Sequence, residues 1–260
     1  IYLTGHWNQM KVLITGAKGL LGEAIKRECQ RRGFDITAVD NNWRKWVDDP
    51  DVLNMSTIEF IKDNECTYDI VYHMSAINGT THFYRYPTEV IHNNIVSDLG
   101  MFNWITGPTK IVYASSSEIV SGNEVPTAED VDVTVKNLHN PRWSYRLGKM
   151  VSENYLVNSK LNYQVLRYFN VFGPRSHSGH FYYDIVKKIQ YQDHELIGGF
   201  ETRSFCYVDD AAWATVELSL KPIKDVVNIG NPEEIIILQA ANLIVQALGH
   251  APVDWEMLPS

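Results

Sequence analysis

Lys11 to Thr15 form a short apolar run that stops at Gly16-Ala17-Lys18-Gly19-Leu20-Leu21-Gly22. Strand, glycine turn and helix is the context a phosphate-binding turn needs. Glycines permit positive φ and let backbone N–H groups approach a diphosphate at a helix N-terminus. The spacing G-x-x-G-x-x-G is one residue longer than the G-x-G-x-x-G fingerprint. A helix is predicted over about 21–32, then Gly33 and a second strand, Asp35 to Val39, ending at Asp40. An acid about 20 residues after such glycines can bind an adenosine ribose through its hydroxyls and would repel a 2′-phosphate.

The alternation continues. Asp51-Val52-Leu53 reads as the end of a third strand beside an adenine ring. Tyr68 to Met74 reads as a buried strand, leading into Ser75-Ala76-Ile77-Asn78-Gly79. A long helix is expected over about 88–105, with Asn93-Asn94 inside it. Lys110 to Ala114 deliver the run Ser115-Ser116-Ser117-Glu118. Further strands are expected at 163–167 and 226–231, and helices near 143–159, 181–190, 211–220 and 235–248. Strands alternating with helices argue for an α/β fold with a doubly wound parallel sheet.

The most chemical stretch is Trp143-Ser144-Tyr145-Arg146-Leu147-Gly148-Lys149. Residues four apart share one face of a helix. A free phenol titrates near ~10, and a nearby ammonium lowers that value. A Tyr-x-x-x-Lys pair can thus hold a phenol ready to take a proton from an alcohol.

Composition excludes several classes. A net charge of −8 argues against general nucleic-acid or anionic-membrane binding. No apolar run approaches the roughly 18 residues of a membrane span. Cys29, Cys66 and Cys206 are far apart and lack metal spacing, so no metal is expected and a reducing, cytoplasmic setting is. At 260 residues the chain is long enough for one large domain, or for one domain plus a small lobe.

Together these residues, with His73-Met74-Ser75-Ala76, Arg167-Tyr168-Phe169-Asn170-Val171-Phe172-Gly173-Pro174 and Arg203-Ser204-Phe205-Cys206-Tyr207-Val208-Asp209-Asp210, resemble the extended short-chain dehydrogenases/reductases. The resemblance is to their NAD-dependent nucleotide-sugar epimerase/dehydratase branch, and runs from Lys11 to about Asn231. It implies a Rossmann domain over 10–170 plus 204–231, and a small substrate lobe over 171–203 and 232–260. It also implies a mechanism. Tyr145 takes the proton of a sugar hydroxyl, usually at C4, while NAD takes the hydride. Lys149 binds the nicotinamide ribose and holds the phenol's pKa down. Ser117 or its neighbour Ser116 hydrogen-bonds the same oxygen. The 4-keto sugar is then epimerised, dehydrated or decarboxylated.

By the same resemblance, cofactor contacts fall to Gly16, Gly19, Leu20, Leu21, Gly22, Asp40 and Asn41. Asp51 and Val52 follow at the adenine end. Met74, Ser75, Ala76, Asn94, Ala114, Ser115, Tyr168, Phe169 and Val171 complete the set. Asn78, Asn170, Arg175, His180 and Arg203 are implied as substrate contacts. Glu118 directly after the serines tilts towards a dehydratase or a nucleotide-uronic-acid decarboxylase. Lys18 and Arg44 favour the alternative of an NADPH-dependent keto-sugar reductase; a non-catalytic dinucleotide sensor is more remote, since Tyr145 and Lys149 are both present. The two long helices are expected to pair with their copies in a homodimer, with Met150, Val151 and Leu156 as candidates for the apolar stripe between subunits or for the sheet-facing side. Two departures from the family stand out. Ser121 replaces the usual Tyr before Gly122. The chain stops at Ser260, short of the segment that closes the substrate lobe, so that lobe is expected to be open and to handle nucleotide sugars poorly. Ile1 to Gln9 read as an addition ahead of a natural start at Met10.

Overall fold

The computed structural model describes residues 10–43, 45, 49–122, 127–135, 137–223 and 225–259; Arg44 lies outside them. In chain order the elements are β1 (Lys11–Thr15), α1 (Leu20–Arg31), β2 (Asp35–Asp40), β3 (Val52–Asn54), α2 (Thr57–Asp63), β4 (Ile70–His73), α3 (Thr80–Arg85), α4 (Pro87–Trp104), β5 (Lys110–Ser116), α5 (Trp143–Val157), β6 (Asn162–Tyr168), β7 (Val171–Phe172), α6 (Phe181–Tyr191), β8 (Glu195–Ile197), β9 (Thr202–Ser204), β10 (Cys206–Tyr207), α7 (Val208–Ser219), β11 (Val226–Ile229), β12 (Glu234–Ile236), α8 (Ile237–Ala247) and β13 (Glu256–Leu258).

Seven strands make one sheet in the order β3-β2-β1-β4-β5-β6-β11, every neighbouring pair parallel. The expected α/β doubly wound sheet is therefore present. Its central strands read as unbroken apolar runs because both faces are covered. On one face Val12, Ile14, Tyr72 and Val112 pack with α1 and α7 residues such as Ile25 and Val216. On the other, Leu13, Val71, Ile111 and Tyr113 pack with Met101 and Phe102 of α4 and Leu156 of α5. The strand order reverses between β1 and β4, which opens a crevice at the C-terminal ends of the strands, where ligands bind in such sheets.

The later residues build a smaller core of their own. Ile185, Ile189, Leu196, Ile237, Val245 and Trp255 pack together. Three two-stranded pairings frame it: β7 with β10, β8 with β13, and β9 with β12. Each joins segments distant in sequence. Leu196, for example, lies opposite Met257.

Candidate active site

The glycine turn is built as its composition demands. Gly16 has φ +67°, and a Cβ there would lie 2.8 Å from the Ser75 backbone. A Cβ on Gly22 would lie 2.1 Å from the Gly16 carbonyl oxygen, so no side chain fits between turn and helix. Gly19 caps α1 with no side-chain hydrogen bond. Gly19, Leu20, Leu21 and Gly22 at the start of this 12-residue helix line a cavity of about 370 Å³, and no described side chain caps that end. That cavity is walled by Gly16, Gly19, Leu20, Leu21, Gly22, Met74, Ala76, Ala114 and Ser115, then by the serine run, Tyr145 and Lys149. Tyr168 and Val171 also line it. A second cavity, about 520 Å³, shares Gly16, Gly19, Met74 and Ala76 with the first and runs to Asp40, Asn41, Ser75 and Asn94. The two form one trough across the sheet's switch point. Its shape and donors fit a dinucleotide: a bare helix N-terminus in the middle, an acid at one end and the Tyr–Lys pair at the other.

At the acidic end Asp40 is held by two backbone amides, Lys18 N–H at 3.0 Å and Asn42 N–H at 2.7 Å. Lys18 is itself buried and is not part of the cavity wall. The adenine end differs from expectation. Asp51 is exposed and lines neither cavity, and Val52 turns into the core. The wall is made instead by Met55, Ser56, Thr57 and Ile58 at the start of α2, with Trp43 opposite. Ser56 and Glu59 form a reciprocal capping box, at 3.2 and 2.7 Å. Its Ser-x-x-Glu pattern is the signal that could have located this wall from sequence. Asn94 acts on the backbone: its amide group brackets Ile77, accepting from its N–H at 2.7 Å and donating to its carbonyl at 3.1 Å.

At the other end α5 presents Tyr145 and Lys149 on one face, both buried. Tyr145 stacks on Phe83, centroids 4.9 Å apart. β5 ends at Ser116 and the chain turns into a short 3-10 segment at Ser117. The Ser116 Oγ accepts from the Glu118 N–H at 3.2 Å, and its hydroxyl acts on the Tyr145 phenol in the direction that favours ionisation. Ser116 is therefore the serine placed against Tyr145, with Ser117 beside it on the wall; Ser115 donates to Glu153 at 2.7 Å. Burial pushes the Tyr145 phenol well above its usual value, the Ser116 hydroxyl opposes the rise, and Glu118 and Asp98 add to it. The expectation that Lys149 sets the phenol low is thus corrected for the ligand-free cleft. The ammonium lies 5.8 Å from the Tyr145 ring centroid and 4.5 Å from that of Tyr113, and desolvation outweighs it. Lys149 is pulled down by burial in turn, against the opposing pull of Asp98 and Glu153.

Beyond Tyr145 the first cavity continues past Asn78, Asn170, His177 and His180. Glu118 projects into it, its carboxylate accepting from Arg142 at 2.6 Å. Ser117, Glu118, Arg142 and Asn170 also border a third cavity of about 560 Å³, which Arg203, Phe169 and Asn228 line. Phe169 therefore faces this chamber, packed on Gly230, and is not part of the trough's wall. Arg203 pairs with Glu201 at 2.7 Å at the exposed rim. Arg175 lies away from the sugar end, donating to the Lys18 carbonyl at 2.8 Å beside the glycine turn. Among the described residues no group of three His, Cys, Asp or Glu could hold a metal.

A parallel α/β sheet with a glycine turn, an acid at the end of the next strand and a Ser–Tyr–Lys constellation defines an NAD-dependent enzyme of the short-chain dehydrogenase/reductase type. The chain belongs, more narrowly, to the NAD-dependent epimerase/dehydratase family, whose model matches residues 12–230. It is 28% identical over 255 residues to a UDP-N-acetyl-alpha-D-glucosaminuronate decarboxylase of Bacillus cytotoxicus, covering 91% of this chain and 79% of that one. It is also 28% identical to UDP-glucuronic acid decarboxylase 1 of Xenopus tropicalis, over 93% of this chain but only 61% of the relative's length. In fold it is similar to a UDP-N-acetylglucosamine 4-epimerase from Methanobrevibacter ruminantium, solved with UDP-N-acetylmuramic acid. The TM-score is 0.84 at 23% identity, over 97% of this chain and 86% of the other.

Proposed function

We propose that the chain transforms a nucleotide sugar through a 4-keto intermediate, as an epimerase or dehydratase. The observation that carries this reading is the convergence of Ser116, Tyr145 and Lys149 on one wall of a trough whose other arm ends at Asp40. NAD, when bound, supplies the hydride acceptor and a positively charged ring. Tyr145 takes the proton of the sugar hydroxyl, and Ser116 hydrogen-bonds the same oxygen. Lys149 adds positive charge beneath the phenol and holds a ribose hydroxyl. Asn78, Asn170 and His180 flank the sugar, with Arg203 at the nucleotide end; Arg175 braces the glycine turn. Ser117 supports the turn that carries Glu118.

A second reading, decarboxylation of a nucleotide-linked uronic acid, is favoured by Glu118 and Arg142 in the sugar cavity and by the names of the two relatives above. The burial of Lys18 counts against the keto-sugar reductase. Incubation with a panel of nucleotide sugars, read by mass spectrometry, tests all of these. An isomer of unchanged mass marks an epimerase, loss of one water a dehydratase, and loss of one CO2 a decarboxylase. No conversion of any member by the folded, NAD-loaded protein would refute the proposal.

The enzyme works as a homodimer through α4 and α5, where Val151 and Tyr155 of α5 are exposed. Leu156 belongs to the sheet-facing side of that helix. Three free cysteines suit a cytoplasmic setting, and no described helix is long and apolar enough to cross a membrane. Light scattering that shows only monomer at micromolar concentration would overturn the dimer.

A further inference from the structure

Beneath the Tyr–Lys pair lies a carboxylate that the proposed reaction does not use. Asp98, on α4, is wholly buried. Its Oδ1 meets His73 Nε2 at 3.0 Å and its Oδ2 accepts from the Tyr113 phenol at 2.5 Å. The Lys149 Nζ stands 4.0 Å from Oδ2, an ion contact between side chains only 2% and 0% exposed. His73 in turn meets the Thr15 hydroxyl at 2.8 Å, at the last residue of β1 before the glycine turn. We propose that Asp98 is a positioning residue of this active site: the buried counter-ion that holds the Lys149 ammonium charged and in place under Tyr145. This rests on the roles given to Tyr145 and Lys149 above.

The charges around Lys149 single out Asp98. From its own helix come Tyr145 and Glu153. Glu153 is taken by Arg167 of β6, whose guanidinium grips both its oxygens, and by Ser115. From β5 comes the neutral phenol of Tyr113, its proton committed to Asp98. From β4 comes His73, which meets Asp98 at 3.0 Å. The 3-10 turn brings Glu118, which is paired with Arg142. Among the described residues Asp98, held also by His73 and Tyr113, is the anion within ion-pair distance of Lys149. A buried ammonium without a counter-charge gives up its proton near neutrality. It would then neither attract a ribose hydroxyl's lone pair nor favour a phenolate. Asp98 also adds to the raising of the phenol directly, so its benefit reaches Tyr145 through the lysine and not by contact.

The test is the titration of Lys149 itself, followed by NMR of Cε-labelled lysine in the ligand-free protein, with the resonance identified by its loss in Lys149→Met. Wild-type Lys149 is expected to stay charged through neutral pH, and Asp98→Asn to lower its midpoint by about 1–3 pH units. A wild-type midpoint in the ~5–6 range of unpartnered buried lysines would overturn the proposal. So would an unchanged midpoint in a folded Asp98→Asn protein, which is what a merely space-filling role gives. Should that variant not fold, the wild-type titration decides alone. None of these readings needs turnover, so a failure of the proposed reaction is told apart from a failure of this inference.

Discussion

Replacing Tyr145 with Phe removes one oxygen from a site whose other contacts survive. The ring keeps its stack on Phe83, 4.9 Å between centroids and 17° between planes, and the helix keeps Lys149 in place. What disappears is the hydroxyl proposed to take the sugar's proton, together with its interaction with Ser116. Loss of a general base costs about 10²–10⁴-fold in rate, or roughly 2.7–5.5 kcal/mol of barrier. Loss of that polar interaction costs the fold about 0.5–1.5 kcal/mol, a fall in Tm of roughly 1–6 °C for a chain of this size. The assay pairs turnover of whichever nucleotide sugar the panel identifies with calorimetric NAD binding and a melting curve. Turnover should fall by two to four decades (about 10²–10⁴) while NAD affinity and fold are nearly untouched. A folded, NAD-binding Tyr145→Phe protein that turns over within about tenfold of wild type would refute the general-base role.

Asp40→Ala should narrow a preference for NAD over NADP, because a 2′-phosphate beside this carboxylate is a like-charge contact worth several kcal/mol; tighter calorimetric binding of NADP than NAD by the wild type would sink this. Alkaline pH should unfold the protein early. Burial raises the folded-state values of Tyr72, Tyr113, Tyr145 and Tyr168, so from about pH 10 upward the unfolded chain releases protons that the folded one retains. The stability from these raised values is fully present below about 10 and is lost as pH climbs towards the folded values, by up to ~1.4 kcal/mol per pH unit for each tyrosine. Denaturant midpoints that stay flat between about pH 9.5 and 11 would contradict it.

The sheet and the trough's centre were legible because their signals are local. A five-residue apolar run, three glycines at fixed spacing and an acid after the next strand each report on their own backbone. Element ends accordingly agree within a few residues: α1 was expected over 21–32 and spans Leu20–Arg31. The misses share a cause. α2 has seven residues and α3 six, too short to show a 3.6-residue period. The three small β pairings involve strands of two or three residues that depend on partners elsewhere in the chain. At the adenine end the expectation fell on Asp51-Val52, several residues before the wall at Met55–Ile58. Strand alternation decides that point: Val52, opposite Ala38, turns into the core, and the chain reaches the cavity only where α2 begins.

Electrostatics were harder to read than geometry. The Tyr-x-x-x-Lys spacing gave the right neighbours, and by distance alone an ammonium near a phenol lowers its pKa. The same helix face that brings Tyr145 and Lys149 together also buries both, and burial acts on each in the unhelpful direction, raising the phenol and lowering the ammonium. The correction comes from groups no local pattern links to the pair. Ser116 stands 29 residues before Tyr145 and Asp98 51 residues before Lys149; the first is delivered by the end of β5 and the second by the interior of α4. A site of this kind is therefore legible in its parts but not in its balance, since the balance depends on which charges the fold has stripped of water. In the proposed reaction, where Tyr145 acts as the base, burial that raises the ligand-free phenol makes the positive charge of a bound cofactor a partner of Lys149 and Ser116 in preparing that base. Occupancy of the trough is then a condition of the proposed proton transfer as well as of hydride transfer, and the proposed counter-ion Asp98, beneath Lys149, is what keeps the ammonium available to it.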